Sequence, residues 1–190
     1  GEFAFSVHED IWVKHRLLKG TIVDREQVKE ILAEEEKHRA MTDAVRFLAR
    51  SKRSEAEVRR KLAEKGYSPD LIEHALTRLK QQNAIDDLDF ARSLSDYRIR
   101  FQNKGKRWVQ YELQNRGVDK EWIAEALEQI SGDEEFEAAM KAARKKWDRM
   151  KDHGKAAREK TAAFLLRRGF SPSVVRRVIQ ELLTQSEHGI

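Results

Sequence analysis

The side chains best suited to recognise a partner are cations. Arg98, Arg100, Lys104, Lys106 and Arg107 fall close together, with Phe101 and Trp108 interleaved. Lys141, Arg144, Lys145, Lys146, Arg149 and Lys151 form a second group, which Lys155, Arg158, Lys160, Arg167 and Arg168 extend. Arg176 and Arg177 make a third. Basic groups at this density can track a row of phosphates, displacing the counterions that screen a nucleic acid. They can equally meet an acidic protein surface, or line an ordinary solvated helix face. From Asp133 onward there are 13 Lys or Arg against 9 Asp or Glu, whereas from Arg53 to Asp89 there are 7 and 8. Charge is therefore polarised towards the C-terminal half. Trp108 and Trp147 read as core or shoulder residues rather than base-stacking platforms.

Other chemistries find little support. Asp86, Asp87 and Asp89 could hold a cation, but the simpler reading is that Asp86 or Asp87 caps a helix beginning at Leu88, where negative charge suits the helix dipole. The six histidines (His8, His15, His38, His74, His153, His188) include no pair at metal-ligand spacing. No Gly-rich phosphate loop, G-x-S-x-G elbow or H-E-x-x-H motif is present. The expectation is a protein that is not an enzyme and uses no cofactor or metal. The chain has no cysteine, which fits a reducing, cytoplasmic setting, and no apolar run of membrane-spanning length. A net charge of +5 over 190 residues favours acidic partners only weakly, because 33 acidic residues are also present.

These cations must be positioned by helices, and one helical pattern occurs three times. Residues 61–79 read KLAEKGYSPDLIEHALTRL, residues 112–130 read ELQNRGVDKEWIAEALEQI, and residues 164–182 read FLLRRGFSPSVVRRVIQEL. Their glycines, Gly66, Gly117 and Gly169, lie 51 and then 52 residues apart, a period that marks stacked repeats. In each copy a helix ends at the glycine, an apolar residue follows (Tyr67, Val118, Phe170), and an N-cap opens the next helix (Ser68, Asp119, Ser171). Pro69 and Pro172, the only prolines, sit at the first helical position, where a missing N–H costs least.

Read in order, residues 3–7 alternate like a strand, a lone strand implying that a hairpin partner precedes Gly1. A short helix is expected over 8–19 and a long one over 25–50, opened by an Asp24/Gln27 capping box. Helices over 54–65, opened by another capping box of Ser54 with Glu57, and over 69–82 follow, then 88–103, with Phe90, Leu94, Tyr97 and Phe101 on one face. Further helices are expected over 106–116, 120–130, 134–151, 155–168 and 172–183. Ser131-Gly132-Asp133 reads as the clearest linker and the place to bend, and the tail from Thr184 as frayed. The expected fold is all-α: three tandem three-helix, helix-turn-helix-like repeats in an elongated array, preceded by a short strand and N-terminal helices. The divisions are 1–40 for the N-terminal extension, 41–84, 85–132 and 133–184 for the modules, and 185–190 for a disordered tail. Each module buries too little surface to be more than marginal alone.

Helix–turn–helix units invite a DNA-reading role. Charge argues against it in two copies: the first turns of the second helices carry Asp70 and Glu73, then Glu121 and Glu125. Only the third, with Arg176 and Arg177, suits phosphates.

The pattern resembles the RecX family of bacterial recombination regulators, over nearly the whole chain. The carriers are Leu48-Ala49-Arg50-Ser51-Lys52-Arg53-Ser54-Glu55, Val58 through Gly66, Ile85-Asp86-Asp87 with Phe90-Ala91, Tyr97-Arg98, Gly105-Lys106, Leu113 and Gly117. Residues 1–7 look like the second strand of an N-terminal hairpin in relatives from Gram-positive bacteria, so the resemblance implies an N-terminal truncation. It also implies tandem three-helix modules, no cofactor and no catalytic residue. It implies a modulator of the RecA recombinase, one that binds RecA filaments on single-stranded DNA along the helical groove; the chain itself is expected to be a monomer. Such a protein inhibits ATP hydrolysis and strand exchange and promotes filament disassembly. The residues placed against the RecA–DNA complex are Arg98, Arg100, Lys104, Lys106, Arg107, Lys141, Arg144, Lys145, Lys146, Arg149, Arg176 and Arg177. The competing expectation is a free-standing double-stranded-DNA binder, a transcription factor. A third is a structural adaptor with no nucleic-acid dependence.

Overall fold

The computed structural model describes residues 6–18, 20–150 and 154–187. Helices account for all the regular structure among them, and no strand occurs there. Of the strand expected over residues 3–7, positions 3–5 lie outside the described residues. Ser6 and Val7 are irregular, so the described residues do not support the strand, and nothing among them offers it a ladder partner. The chain falls into two compact units, Gly1–Asp86 and Asp87–Ile190.

The first unit holds α1 (Glu9–Lys14), α2 (Arg25–Leu48), α3 (Glu55–Glu64) and α4 (Pro69–Gln81). α1 is shorter than expected because Arg16 adopts φ 50°, a left-handed conformation that cannot continue a helix. α2 runs unbroken through the polar stretch 34–39, as expected of a segment without Gly or Pro. Asp24 with Gln27 and Ser54 with Glu57 form capping boxes, each pair satisfying two orphan N–H groups. α2, α3 and α4 pack pairwise around Ala44, Val58, Leu62, Ile72, Leu76 and Leu79. Gly66, at φ +85°, reverses the chain between α3 and α4. Beside it the Tyr67 hydroxyl donates to Asp43 at 2.8 Å, and Lys65 Nζ lies 2.7 Å from the same carboxylate.

The second unit holds α5 (Asp87–Asp96), a π turn (Tyr97–Phe101), α6 (Lys106–Asn115), α7 (Lys120–Glu128), α8 (Gly132–Trp147), α9 (Lys155–Arg167) and α10 (Pro172–Glu187). One apolar cluster runs through it from Phe90 on α5 to Leu182 on α10. Ser131-Gly132-Asp133 is therefore not a linker but the start of α8. Ser131 caps it reciprocally with Glu134, a Ser-x-x-Glu signature that outweighs the glycine between them. α10 likewise continues past Leu183, its last turn tied by Arg144 to Gln185 at 3.0 Å and by Gln185 to Glu181 at 2.7 Å.

The repeats interlock inside this unit. The Gly105 N–H donates to the Arg168 carbonyl at 2.8 Å and the Arg107 N–H to the Gly169 carbonyl at 3.1 Å. Arg168 reaches back: its Nε donates to the Asn103 carbonyl at 2.8 Å and its Nη2 to the Gln102 carbonyl. The turn between α9 and α10 thus caps the end of the π turn. The approach is so close that a Cβ on Gly105 would stand 2.2 Å from the Gly169 backbone, and one on Gly169 would stand 2.3 Å from the Trp108 nitrogen.

Candidate functional site

The helix expected over 88–103 is α-helical only as far as Asp96. A π turn accommodates one extra residue and so rotates everything after it by about 100° relative to a continuous α-helix. Extrapolated from Phe90, Ala91, Leu94 and Ser95, an unbroken helix would centre Arg98 on the buried face. The inserted residue puts Ile99 there instead, fully buried. Arg98 swings aside, and Tyr97 and Phe101, expected on the core stripe, turn outward with 50% and 75% of their surface exposed. Their rings lie 6.0 Å apart. Tyr111 on α6 is also exposed. The out-of-phase Ile99, one residue later than the stripe requires, is the sequence signal that could have revealed this aromatic surface.

Beside it, Arg98 makes a bidentate pair with Glu112, Nε to Oε2 and Nη2 to Oε1 both at 2.7 Å. Burial alone would raise the Glu112 carboxyl, but Arg98 and Arg116 outweigh it and hold the group below the usual carboxylate range. Glu112 in turn pushes the Arg98 guanidinium up. This pair joins the π turn to α6. Lys104 lies over the Trp108 ring, Nζ 3.9 Å from the centroid. Burial first, then the charges of Arg168 and Arg98, lowers its pKa, so positive charge here exceeds what Glu112 compensates.

The twelve sequence-identified cations sort by what holds them. Arg98 serves the fold, and so does Lys106, whose Nζ donates to the Ile130 carbonyl at the end of α7. Arg100 pairs with Glu134 at 2.8 Å and Arg177 with Asp133 at 3.2 Å, while Arg144 binds Gln185. Lys104 and Lys146 cover aromatic rings, Trp108 and Phe164. Arg107, Lys141, Lys145, Arg149 and Arg176 are exposed. Lys141 and Lys145 stand one helical turn apart on α8, and Arg149 follows at the same interval just past its end, so the three continue one stripe. Lys145, Lys146 and Arg149 line a shallow groove floored by Ala142, Met150 and Phe164, between α8 and α9. The helix dipole concentrates the arrangement: α8 opens with Asp133, Glu134 and Glu135 and closes with Arg144, Lys145 and Lys146.

Two of the four acids near the starts of the other second helices, Glu73 and Glu125, are engaged in packing. Glu73 on α4 is paired with Arg59 of α3, and Glu125 on α7 lies 2.7 Å from Arg92 of α5. A recognition helix would keep these positions free for bases.

Comparison with known proteins matches all three repeats. Residues 40–79 match "RecX, first three-helix domain", 86–127 the second and 133–179 the third. Regulatory protein RecX of Clostridium perfringens (strain 13 / Type A) is 30% identical over 190 residues, covering 98% of this chain and 88% of that protein. Its counterpart from Oceanobacillus iheyensis is 32% identical over 186 residues, covering 97% and 68%. The chain belongs to the RecX family. A crystal structure of regulatory protein RecX superposes with a TM-score of 0.78 at 28% identity, covering 94% of this chain and 90% of that one. RecX from Lactobacillus salivarius, at 24% identity, shares the fold with a TM-score of 0.74 over 78% of this chain and 97% of that one. The three matches run from the last part of α2 into α10, and α1 with the first part of α2 lies ahead of them. No described helix is long and apolar enough to cross a membrane.

Proposed function

We propose that this protein is a non-catalytic regulator of homologous recombination that binds RecA filaments on DNA, inhibits ATP hydrolysis and strand exchange, and promotes filament disassembly. The observation that carries the reading is family membership across all three domains. A chain of small modules suits a filament: each meets a neighbouring subunit weakly, and later contacts are effectively intramolecular. Within the second unit, the stripe of Lys141, Lys145 and Arg149 is the contact to phosphates. Its cations spend nothing on internal pairs among the described residues, so they are available to a polyanion. Arg107 and Arg176 add to it, and Tyr97, Phe101 and Tyr111 supply exposed apolar area for a protein surface.

The test is DNA-dependent ATP hydrolysis by RecA, titrated with this protein and with the triple variant K141E/K145E/R149E. The native chain should inhibit at fewer than one copy per RecA subunit. The variant should need roughly tenfold more protein, and its inhibition should lose salt dependence by about one unit of log–log slope per phosphate contact removed. Undiminished inhibition by the variant would remove the phosphate assignment. Sequence-selective binding to duplex DNA without RecA would replace the whole reading with a transcription factor.

A further inference from the structure

In the sequence, His8 and His38 are far apart and belong to no metal-ligand motif. The fold stacks them: α1 lies on α2, and the two imidazole rings stand 4.1 Å apart at a 32° tilt. Asp10, in the first turn of α1, places Oδ2 3.4 Å from His8 Nδ1. One donor atom from each of His8, Asp10 and His38 lies within 4.8 Å of the other two. Two imidazoles and a carboxylate from separate helices thus converge on one point.

The scaffold holds this convergence by other means. The His8 N–H donates to Glu35 Oε2 at 2.6 Å, fixing the backbone that carries the first imidazole. Lys14 and His15 grip Glu34 at 2.6 and 3.0 Å, fixing α1 on α2. The imidazoles themselves are lightly used. His8 Nδ1 accepts only the long 3.3 Å bond from the Asp10 N–H, and no hydrogen bond to the His38 ring occurs among the described residues. The groove alongside sets Glu35, Glu36 and Asp43 against Arg39, Arg46 and Lys65, so it does not repel a cation.

We propose that His8, Asp10 and His38 form a binding site for a borderline divalent transition-metal ion, Zn²⁺ in the first instance, that clips α1 onto α2. Two nitrogen donors and a single carboxylate disfavour Ca²⁺ and Mg²⁺, which take oxygen shells, and suit Zn²⁺, Ni²⁺ or Cu²⁺. Donors within 4.8 Å of one another close to metal-bonding distance by rotation about side-chain torsions. Three protein ligands leave a fourth position for water, the pattern of an open zinc site rather than a closed structural one. His8 and Asp10 are exposed and His38 is half-buried, so the ion enters without unfolding α1. The site is independent of the recombinase reading.

The experiment is a calorimetric titration of the full chain with ZnCl₂, repeated with MgCl₂. One Zn²⁺ per chain is expected and no Mg²⁺. H8A and H38A should each weaken Zn²⁺ binding by about tenfold or more, D10N by less, and H74A not at all. Co²⁺ in place of Zn²⁺ should give visible absorption bands that vanish in H38A. Because these side chains are largely exposed, the variants keep the fold, which circular dichroism checks. Zn²⁺ binding with equal affinity in H8A and H38A, or none below about 1 mM, would overturn the site.

Discussion

Gly66 in the first unit and Gly169 in the second occupy the same place in the repeat and adopt almost the same left-handed backbone, φ +85° and +87°. Their surroundings differ completely. A Cβ on Gly66 would meet open space, whereas one on Gly169 would run into the Trp108 backbone. The residue that follows differs in step. Tyr67 sits half-buried and stretches its hydroxyl to Asp43, while Phe170 is fully buried in the long apolar cluster. One local rule, a glycine closing a helix, has been kept for turn stereochemistry alone in one unit and recruited in the other for close packing between repeats.

The sharpest way to break this comparison is by adding a methyl group. Gly169→Ala and Gly105→Ala should each cost the second unit at least about 3 kcal/mol, or prevent its folding, because backbone atoms cannot give way as a flexible side chain would. Gly105 has an ordinary φ of −83°, so its loss is purely steric. Gly66→Ala should cost only about 1 kcal/mol of backbone strain. Urea unfolding, with the indole NMR signals of Trp108 and Trp147 as reporters of the second unit, separates these outcomes. Equal costs at Gly66 and Gly169 would erase the distinction.

The next effect tests the π turn. Ile99→Ala should cost about 2–4 kcal/mol as a core truncation, and Phe101→Ala less than about 0.5 kcal/mol. If RecA is the partner, only Phe101→Ala should weaken inhibition out of proportion to stability. The reverse order in denaturant would mean a continuous α-helix.

A smaller effect is confined to the first unit. Burial first, then the hydrogen bond to Asp43, pushes the Tyr67 hydroxyl up to about 12. A folded pKa raised above the unfolded value of about 10 contributes stability that is fully present below pH about 10. That contribution is lost as pH rises through about 12. Tyr67→Phe should abolish this alkaline component, seen as a flatter melting-temperature profile and as one fewer late-titrating phenol by near-ultraviolet absorbance. Superimposable profiles would exclude the assignment. Val118 and Phe170 have no hydroxyl to titrate.

The smallest predicted differences concern caps. Ser54, fully buried and in a capping box, should lose about 1 kcal/mol on substitution by Ala. Asp119, whose side chain makes no cap hydrogen bond, should lose almost nothing by thermal unfolding.

These contrasts mark what could be read from the residues alone. The repeat, the helix ends at Gly66, Gly117 and Gly169, and the proline starts were legible because their causes lie within a few residues. So were the capping boxes at Asp24 and Ser54. The signature at Ser131 was equally local, but the neighbouring Gly132 masked it. The grip of Arg168 on the π turn, the pairing of Arg98 with Glu112, and the meeting of His8 with His38 were not legible. Each depends on which helices pack together, and helical period is silent on that. Among the cations, composition located the groups, while only the packing separated Arg98 and Lys106, bound into the fold, from Lys141 and Lys145, left facing solvent.

The backbone contact between Gly105 and Gly169 has a consequence for how such a chain can be cut and respliced. A break after Asp86 leaves each apolar cluster whole, so fragments 1–86 and 87–190 should each express as a folded piece. A break at Ser131, although it falls between two repeats, severs the long cluster and strips the π turn of its cap. Two of the three copies have become one inheritable block, and a gene rearrangement that adds or removes a single copy from it must also repair the seam.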